Sequence, residues 1–416
     1  MINLLKKRGL LFLALSNGTS QLGDRLTHMV IITLIGTQYP GKISAFSEFA
    51  VTFSLPVLIL APFVGVIVDH WNKQTIMFRC HLMQTILIML TPSFVVLFHS
   101  LIPIWVLVFT FFALDVFNNT AKNAVVPDLV NYDELVSANS LIITIARIAT
   151  FLGMVGGGYL IKWVGWRLGF YLDASTHLIA GLLVLGMGAR ALFEPAVRIE
   201  HNWKKKLNEA YRYFLQDMKE LFKLLLSDRV VLFVMISVFV LPFAAAIAYT
   251  VLIYLIQQTF NMGTPGVGWL GGIIGIGMLL GGILMGFLGR RFNRPLIIIG
   301  SMGLLSLFFL FGPFFINPLS MYVIALISGM VFSFVGIAQD TILQEDVLKS
   351  VRGRIFATKE FIINLTFLLC ALGIGLLSKI LAPFAILRLT GVIIICLTIL
   401  ALLIINTIPA EARKKL

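Results

Sequence analysis

Asp24, Asp115 and Asp173 each stand inside a run of apolar residues, in company with Asn118, Asn119, Lys122 and Arg147. Asp115, Asn118, Asn119 and Lys122 follow i, i+3, i+4, i+7 spacing, so a helix gathers them into one stripe on one face. Asn17, Ser20, Gln21, Asp24, Thr27 and His28 make a second stripe, and Thr144 and His177 add further polar points. A charge at the centre of a membrane span costs about 2.5–3.5 kcal/mol on insertion scales, so charges kept there have a task. A carboxylate that meets water in one state and a low-dielectric interior in another can take up and release a proton. Asp24 and Asp115 are the first choices for that work and Asp173 the third, while Lys122 and Arg147 suit an acidic headgroup. The competing reading is that these groups pair with one another between helices, above all Arg147 and Asp173. Arg25 follows Asp24 directly, and adjacent helical residues do not face each other, so it is expected to meet another helix.

The elements that must hold these residues are read from composition. Only 12% of the 416 residues are charged, against about 25% in a soluble domain. Many apolar stretches reach the roughly 20 residues that cross a bilayer as a helix. About twelve spans are predicted, at 9–36, 46–68, 75–98, 101–126, 136–163, 167–190, 229–258, 265–289, 295–315, 318–345, 355–380 and 383–407. The chain therefore reads as an all-α integral membrane protein. The start, MINLLKKRG, has the charge of a signal peptide, but the apolar run after it is too long for one and is read as a retained first span.

Most of the 32 basic residues fall at ends and loops on one side of these spans, including Lys204, Lys205 and Lys206. By the positive-inside rule that side is cytoplasmic, as are both termini. The net charge of +13 is thus a signal of topology and of anionic lipid, and no soluble basic face exists to bind nucleic acid. Cys80, Cys370 and Cys396 lack metal-like spacing, and the six histidines form no H-E-x-x-H pattern. No phosphate-binding glycine loop is present, so no metal, no cofactor and no enzymatic constellation is expected.

The inward loop 191–228 divides the chain into 1–190 and 229–416. Within it WKKKLNEAYRYFLQDMKELFKLLL has the spacing of an amphipathic helix lying on the inner membrane surface. Each half carries the same short turn after its second span, GVIVDHWNKQTIM at 65–77 and GFLGRRFNRPLII at 286–298. Gly65 and Gly286, Trp71 and Phe292, Asn72 and Asn293, and Lys73 and Arg294 match without a gap, while Asp69 is answered by Arg290.

Six spans, a linker, six spans and a twice-written turn resemble the major facilitator superfamily, with GVIVDHWNKQ similar to its motif A. SQLGDRL (20–26), TAKNAVVPDLV (120–130), WRLGFYLDAST (166–176) and LQEDVLKSVRGRIFA (343–357) resemble, in order, the drug-efflux-type group of macrolide and enterobactin exporters. Gly23–Asp24 and Ala121–Lys122 are similar to bacterial lysophospholipid transporters as well. Two features depart from the pattern: Asn72 stands where motif A usually has glycine, and the arginine many members carry in span four is absent.

The resemblance implies two pseudo-symmetric six-helix bundles that move a substrate by alternating access from a midplane site. It also implies that Asp69 latches against the start of span eleven, with Arg352 and Arg354 beside it. By symmetry a charge-inverted second latch is expected, Arg290 or Arg294 against Asp133 or Glu134. The function expected is proton-coupled export of an amphipathic small molecule across the bacterial cytoplasmic membrane. Lipid transport and a non-transport scaffold are the alternatives. Partners are then the substrate, protons and membrane lipids, and the protein acts as a monomer.

Overall fold

The computed structural model describes residues 6–98, 100–131, 134–188, 209, 212, 216, 228–288, 293–346 and 349–408. Among these residues no strand occurs. In hydrocarbon every backbone N–H and C=O must be satisfied within its own segment, and apolar runs of this length do so as helices.

The first four helices are α1 (Arg8–Gln38), α2 (Ile43–His70), α3 (Lys73–Phe98) and α4 (Ile102–Leu129). The next, Leu135–Leu185, is one hydrogen-bonded run bent at Gly165, whose φ of 79° and ψ of 167° are non-helical. Glycine alone enters that region without a Cβ clash. Its limbs, 135–164 and 166–185, are α5 and α6. The expected loop between spans five and six is thus a one-residue hinge.

Span seven, α7 (229–259), starts under a cap: the Asp228 carboxylate accepts from Val230 N at 2.8 Å and Val231 N at 3.2 Å. It then loosens into two π-helical turns, Ala248–Leu252 and Leu255–Thr259. Phe260 N reaches back to Leu255 O at 2.9 Å, and Asn261 ends the run at φ 52°. The remaining helices are α8 (Gly263–Leu288), α9 (Arg294–Phe315), α10 (Pro318–Asp346), α11 (Lys349–Leu377) and α12 (Pro383–Thr407). Among the described residues these make twelve helical rods, beside the helical positions 209, 212 and 216. Ten stretches of the described residues are long and apolar enough to cross a membrane, with α5 and α6 inside one of them. α1 is not among the ten; at 31 residues it is long enough, and the polar stripe through its middle lowers its hydropathy.

The chain divides into two compact units. One comprises Met1–Pro40, Thr52–Tyr213 and Gly263–Gly268; the other comprises Gly41–Val51, Phe214–Met262 and Trp269–Leu416. The first turns of α2 thus group with the second unit, and those of α8 with the first. Leu10, Leu13 and Ala14 of α1 pack with Val68, Met77, Val125 and Val184 in the first unit's core. Phe233, Val234, Met302, Val335 and Ile394 centre the second. Lipid is as apolar as these side chains, so close van der Waals fit and interhelical hydrogen bonds hold the rods together. Apart from residues 209, 212 and 216, which are helical, the expected surface helix lies outside the described residues.

The twin turns start helices. Asn72 Oδ1 accepts from Thr75 N at 3.0 Å and from the Thr75 hydroxyl at 3.3 Å, and Asn293 Oδ1 accepts from Leu296 N at 3.4 Å. Asparagine is among the strongest N-caps. The basic residue after each cap then ties the turn to a neighbour in its own unit. Lys73 Nζ donates to Ala124 O at 3.0 Å and Asp128 Oδ2 at 3.2 Å. Arg294 grips Glu345 with both terminal nitrogens, Nη2 to Oε1 at 3.0 Å. Asn72→Ala should lower stability by about 1 kcal/mol, and Asn72→Asp should keep it. Thermal unfolding in detergent distinguishes the two, and equal melting would mean that Asn72 does not cap α3.

Candidate functional site

The first unit's polar residues collect where α1 meets α6. Gly23 permits the approach: a Cβ there would overlap Thr176 Oγ1 and Asp173 Oδ1. Asp173 and His177 lie one helical turn apart and share a face. The Thr27 hydroxyl donates to Asp173 Oδ2, and the Thr176 hydroxyl donates to Asp173 Oδ1 at 3.2 Å. His177 Nε2 lies 3.4 Å from Asp24 Oδ1 and 3.5 Å from Asp173 Oδ1, a charge contact without an aligned hydrogen bond to either. Asp24 Oδ2 accepts from Gln21 Nε2 at 3.0 Å. Asp173 is fully buried, and His177 and Asp24 are 1% and 5% exposed, so water does not compensate them. Two acids around one imidazole can hold and pass protons among themselves.

A second imidazole joins from α3. His81 Nδ1 lies 3.4 Å from His177 Nδ1, and the Phe111 ring stands edge-on to His177 with centroids 5.2 Å apart. Gln84 Nε2 donates to Phe111 O at 3.3 Å, while its Oε1 is buried without a partner. His81 is not among the residues that the sequence pattern singles out. The available signal was Gln74, His81 and Gln84, a polar stripe along span three, all of them buried.

The α4 stripe forms a separate string. Asn119 Nδ2 donates to Asp115 Oδ2 at 2.8 Å; Lys122 Nζ donates to Asn119 Oδ1 at 2.8 Å and to Asn17 Oδ1 at 2.9 Å. Asn118 points elsewhere: it is buried, its Oδ1 has no partner, and it lines no part of the cavity beside the stripe. That cavity, of about 240 Å³, lies among α1, α4 and α5. Its polar lining is Asn17, Gln21, Lys122, Asn123, Asn139, Arg147 and Thr150, and its apolar side includes Ile142 and Ile143. Gln21 and Lys122 belong both to this lining and to the two strings, so the cavity connects by hydrogen bonds to Asp24 and to Asp115. Arg25 meets α5, its Cβ lying against Gly153.

Of the residues expected to latch, Arg290 and Asp133 lie outside the described residues, as do the side chains of Arg352 and Arg354. Asp69 is exposed, and a Cβ on Gly65 or Gly286 would meet nothing within 4 Å. Glu134 pairs with Lys7 and accepts from Asn131 N at 3.0 Å, and Arg294 has Glu345, so each has a partner within its own unit. The Lys7 ammonium, helped by the Asn131 N–H, holds the Glu134 carboxyl below the usual carboxylate range.

The second unit has polar contacts of its own. Gln339 Nε2 donates to Ser237 Oγ at 2.9 Å, Lys359 pairs with Asp340, and Gln257 Oε1 is buried without a partner inside a π turn. Among the described residues no group of three His, Cys, Asp or Glu could hold a metal ion.

The family model described as Major Facilitator Superfamily matches residues 13–365. YfiS of Bacillus subtilis, an uncharacterised MFS-type transporter, is 25% identical over 419 residues, covering 99% of this chain and 96% of its own. Macrolide efflux protein A of Streptococcus pyogenes is 25% identical over 403 residues, covering 91% of this chain and 92% of its own. The putative bacilysin exporter BacE of B. subtilis is 25% identical over 336 residues, with 80% and 79% covered. Among solved structures, the nucleoside transporter NupG superposes with a TM-score of 0.70 at 13% identity, over 95% of this chain and 98% of that one. An inward-facing bacterial homologue of the iron transporter ferroportin gives 0.71 at 13% identity, over 95% and 97%. At such identities these structures speak for the fold alone.

Proposed function

The chain belongs to the major facilitator superfamily and is a multi-pass secondary transporter, and from that premise we propose that it exports an amphipathic small molecule in exchange for protons. It does so by alternating access, as a monomer in the bacterial cytoplasmic membrane with both termini inside. One observation carries the reading: a buried acid–imidazole set, Asp24, Asp173 and His177, is hydrogen-bonded through Gln21 to a cavity of about 240 Å³. A proton entering the set changes its charge where no water compensates, so the state of the set and the occupancy of the cavity bias one conformational equilibrium. Asp115 is tied to the same cavity through Asn119 and Lys122. Efflux as the direction is supported by the relatives that are named as exporters.

In proteoliposomes carrying an internal pH dye, adding an alkyl phosphate should start an opposing proton flux. Asp24→Asn or Asp115→Asn should reduce it at least tenfold. Wild-type coupled flux in both variants would overturn the assignment.

A further inference from the structure

We propose that the cavity among α1, α4 and α5 binds an oxyanion, the carboxylate or phosphate head of an amphipathic substrate, between Lys122 and Arg147. The proposal rests on the transport reading above and names the substrate class of that site. Lys122 and Arg147 are the charged groups of the lining, and no carboxylate takes part in it; Asn17, Gln21, Asn139 and Thr150 supply neutral amides and a hydroxyl. Among the described residues Arg147 has no acid within 4 Å. It stands twelve residues into α5, about 18 Å along the rod at 1.5 Å per residue, near the middle of a bilayer. A guanidinium at that depth is costly without a partner, and such residues face a bundle interior or a water-filled cavity. Arg147 faces a cavity whose walls do not neutralise it. Its planar fork of N–H donors matches a carboxylate or phosphate in bidentate fashion.

Lys122 is prepared in a different way. Asn17 Oδ1 and Asn119 Oδ1 hold its ammonium at 2.9 Å and 2.8 Å without cancelling its charge. An ammonium has three N–H donors, so one remains for a ligand. Asp115 is the nearest acid on the string, and it reaches Lys122 through Asn119. The apolar side, with Val126, Ile142 and Ile143, receives the hydrocarbon next to the head. A cationic head would find two like charges here and no acid in the wall.

The class also fixes how the driving force acts. An anion leaving while a proton enters moves net positive charge inward on both counts. An inside-negative potential then drives each half of the exchange.

The test uses the full chain in nanodiscs of phosphatidylcholine, with radiolabelled dodecyl phosphate as the probe and dodecyltrimethylammonium as its cationic match. Dodecyl phosphate should bind saturably, and the cation at least tenfold more weakly. Arg147→Gln should weaken dodecyl phosphate at least tenfold and Arg147→Lys should recover part of the loss; the side chain is exposed to the cavity, so folding is not at issue. Lys122→Gln should weaken it as well. Nanodiscs containing phosphatidylglycerol separate the sources: competition with the probe marks a lipid headgroup as the occupant, and none marks a free amphiphile. Equal binding of the cation, or unchanged dodecyl phosphate binding in Arg147→Gln, would overturn the oxyanion assignment. Normal dodecyl phosphate binding without coupled proton flux would sink the transport reading alone.

Discussion

Gly23→Val should leave little folded protein in the membrane, and what can be purified should be less stable by on the order of 3 kcal/mol, with no transport. The sign follows from two opposed effects. Removing glycine from a helix interior gains about 1 kcal/mol in helix propensity at most. Against it, a side chain at 23 overlaps Thr176 Oγ1 and the Asp173 carboxylate, and Asp173 is fully buried. Overpacking of a filled interior costs about 1–3 kcal/mol, and more where the neighbour cannot yield. Here the neighbour is a carboxylate held by Thr27 and Thr176, so the rods must separate and break those hydrogen bonds. Gly65→Ala is the control, because nothing lies within 4 Å of its added Cβ. It should melt at or above the parent temperature. If Gly23→Val melts with Gly65→Ala, the close seam between α1 and α6 is wrong.

Much of this was legible because hydrocarbon limits the possibilities. Runs of about 20 apolar residues become rods, and their ends fell within a few residues of expectation except where a polar stretch continues a helix. α11 is such a case: it begins at Lys349, taking in SVRGR ahead of the apolar run expected from 355. The π turns of α7 were not legible, since AYTVL and LIQQT carry no pattern that ordinary helices lack. Asp24 and Asp173 were conspicuous as acids in apolar runs. His81 was not, because one histidine in a span with several polar residues is unremarkable until its partner is known. That partner, His177, lies in another helix, and only packing joins them. The cavity was hidden for the same reason, since Asn17, Lys122 and Arg147 come from three rods. The repeated turn showed its regularity in sequence, while its local task, capping α3 and α9 and tying each start to Asp128 or Glu345, needed coordinates.

His177→Leu should destabilise the protein by about 3–5 kcal/mol, and adding Asp173→Asn should return part of that loss. The imidazole stands between two carboxylates in a site where Asp173 is fully buried and Asp24 nearly so. Removing it leaves two acids facing a leucine, and removing one partner of a buried charge group is strongly destabilising, by about 3–5 kcal/mol. His81 loses its neighbour in the same step. Asp173→Asn then deletes one of the stranded acids. The asparagine keeps an oxygen for the Thr27 or Thr176 hydroxyl, so the second change removes charge without emptying the site. Alone, Asp173→Asn withdraws a negative charge from beside the imidazole and should itself be destabilising. The two single changes therefore cannot add: residues in one buried network couple by about 0.5–3 kcal/mol, and here the double variant should be more stable than the sum of its parts. Thermal or denaturant unfolding of the two singles and the double, in one detergent at one pH, measures the coupling directly. Simple additivity would mean that His177 and Asp173 act independently, and the acid–imidazole set would have to be given up as a unit.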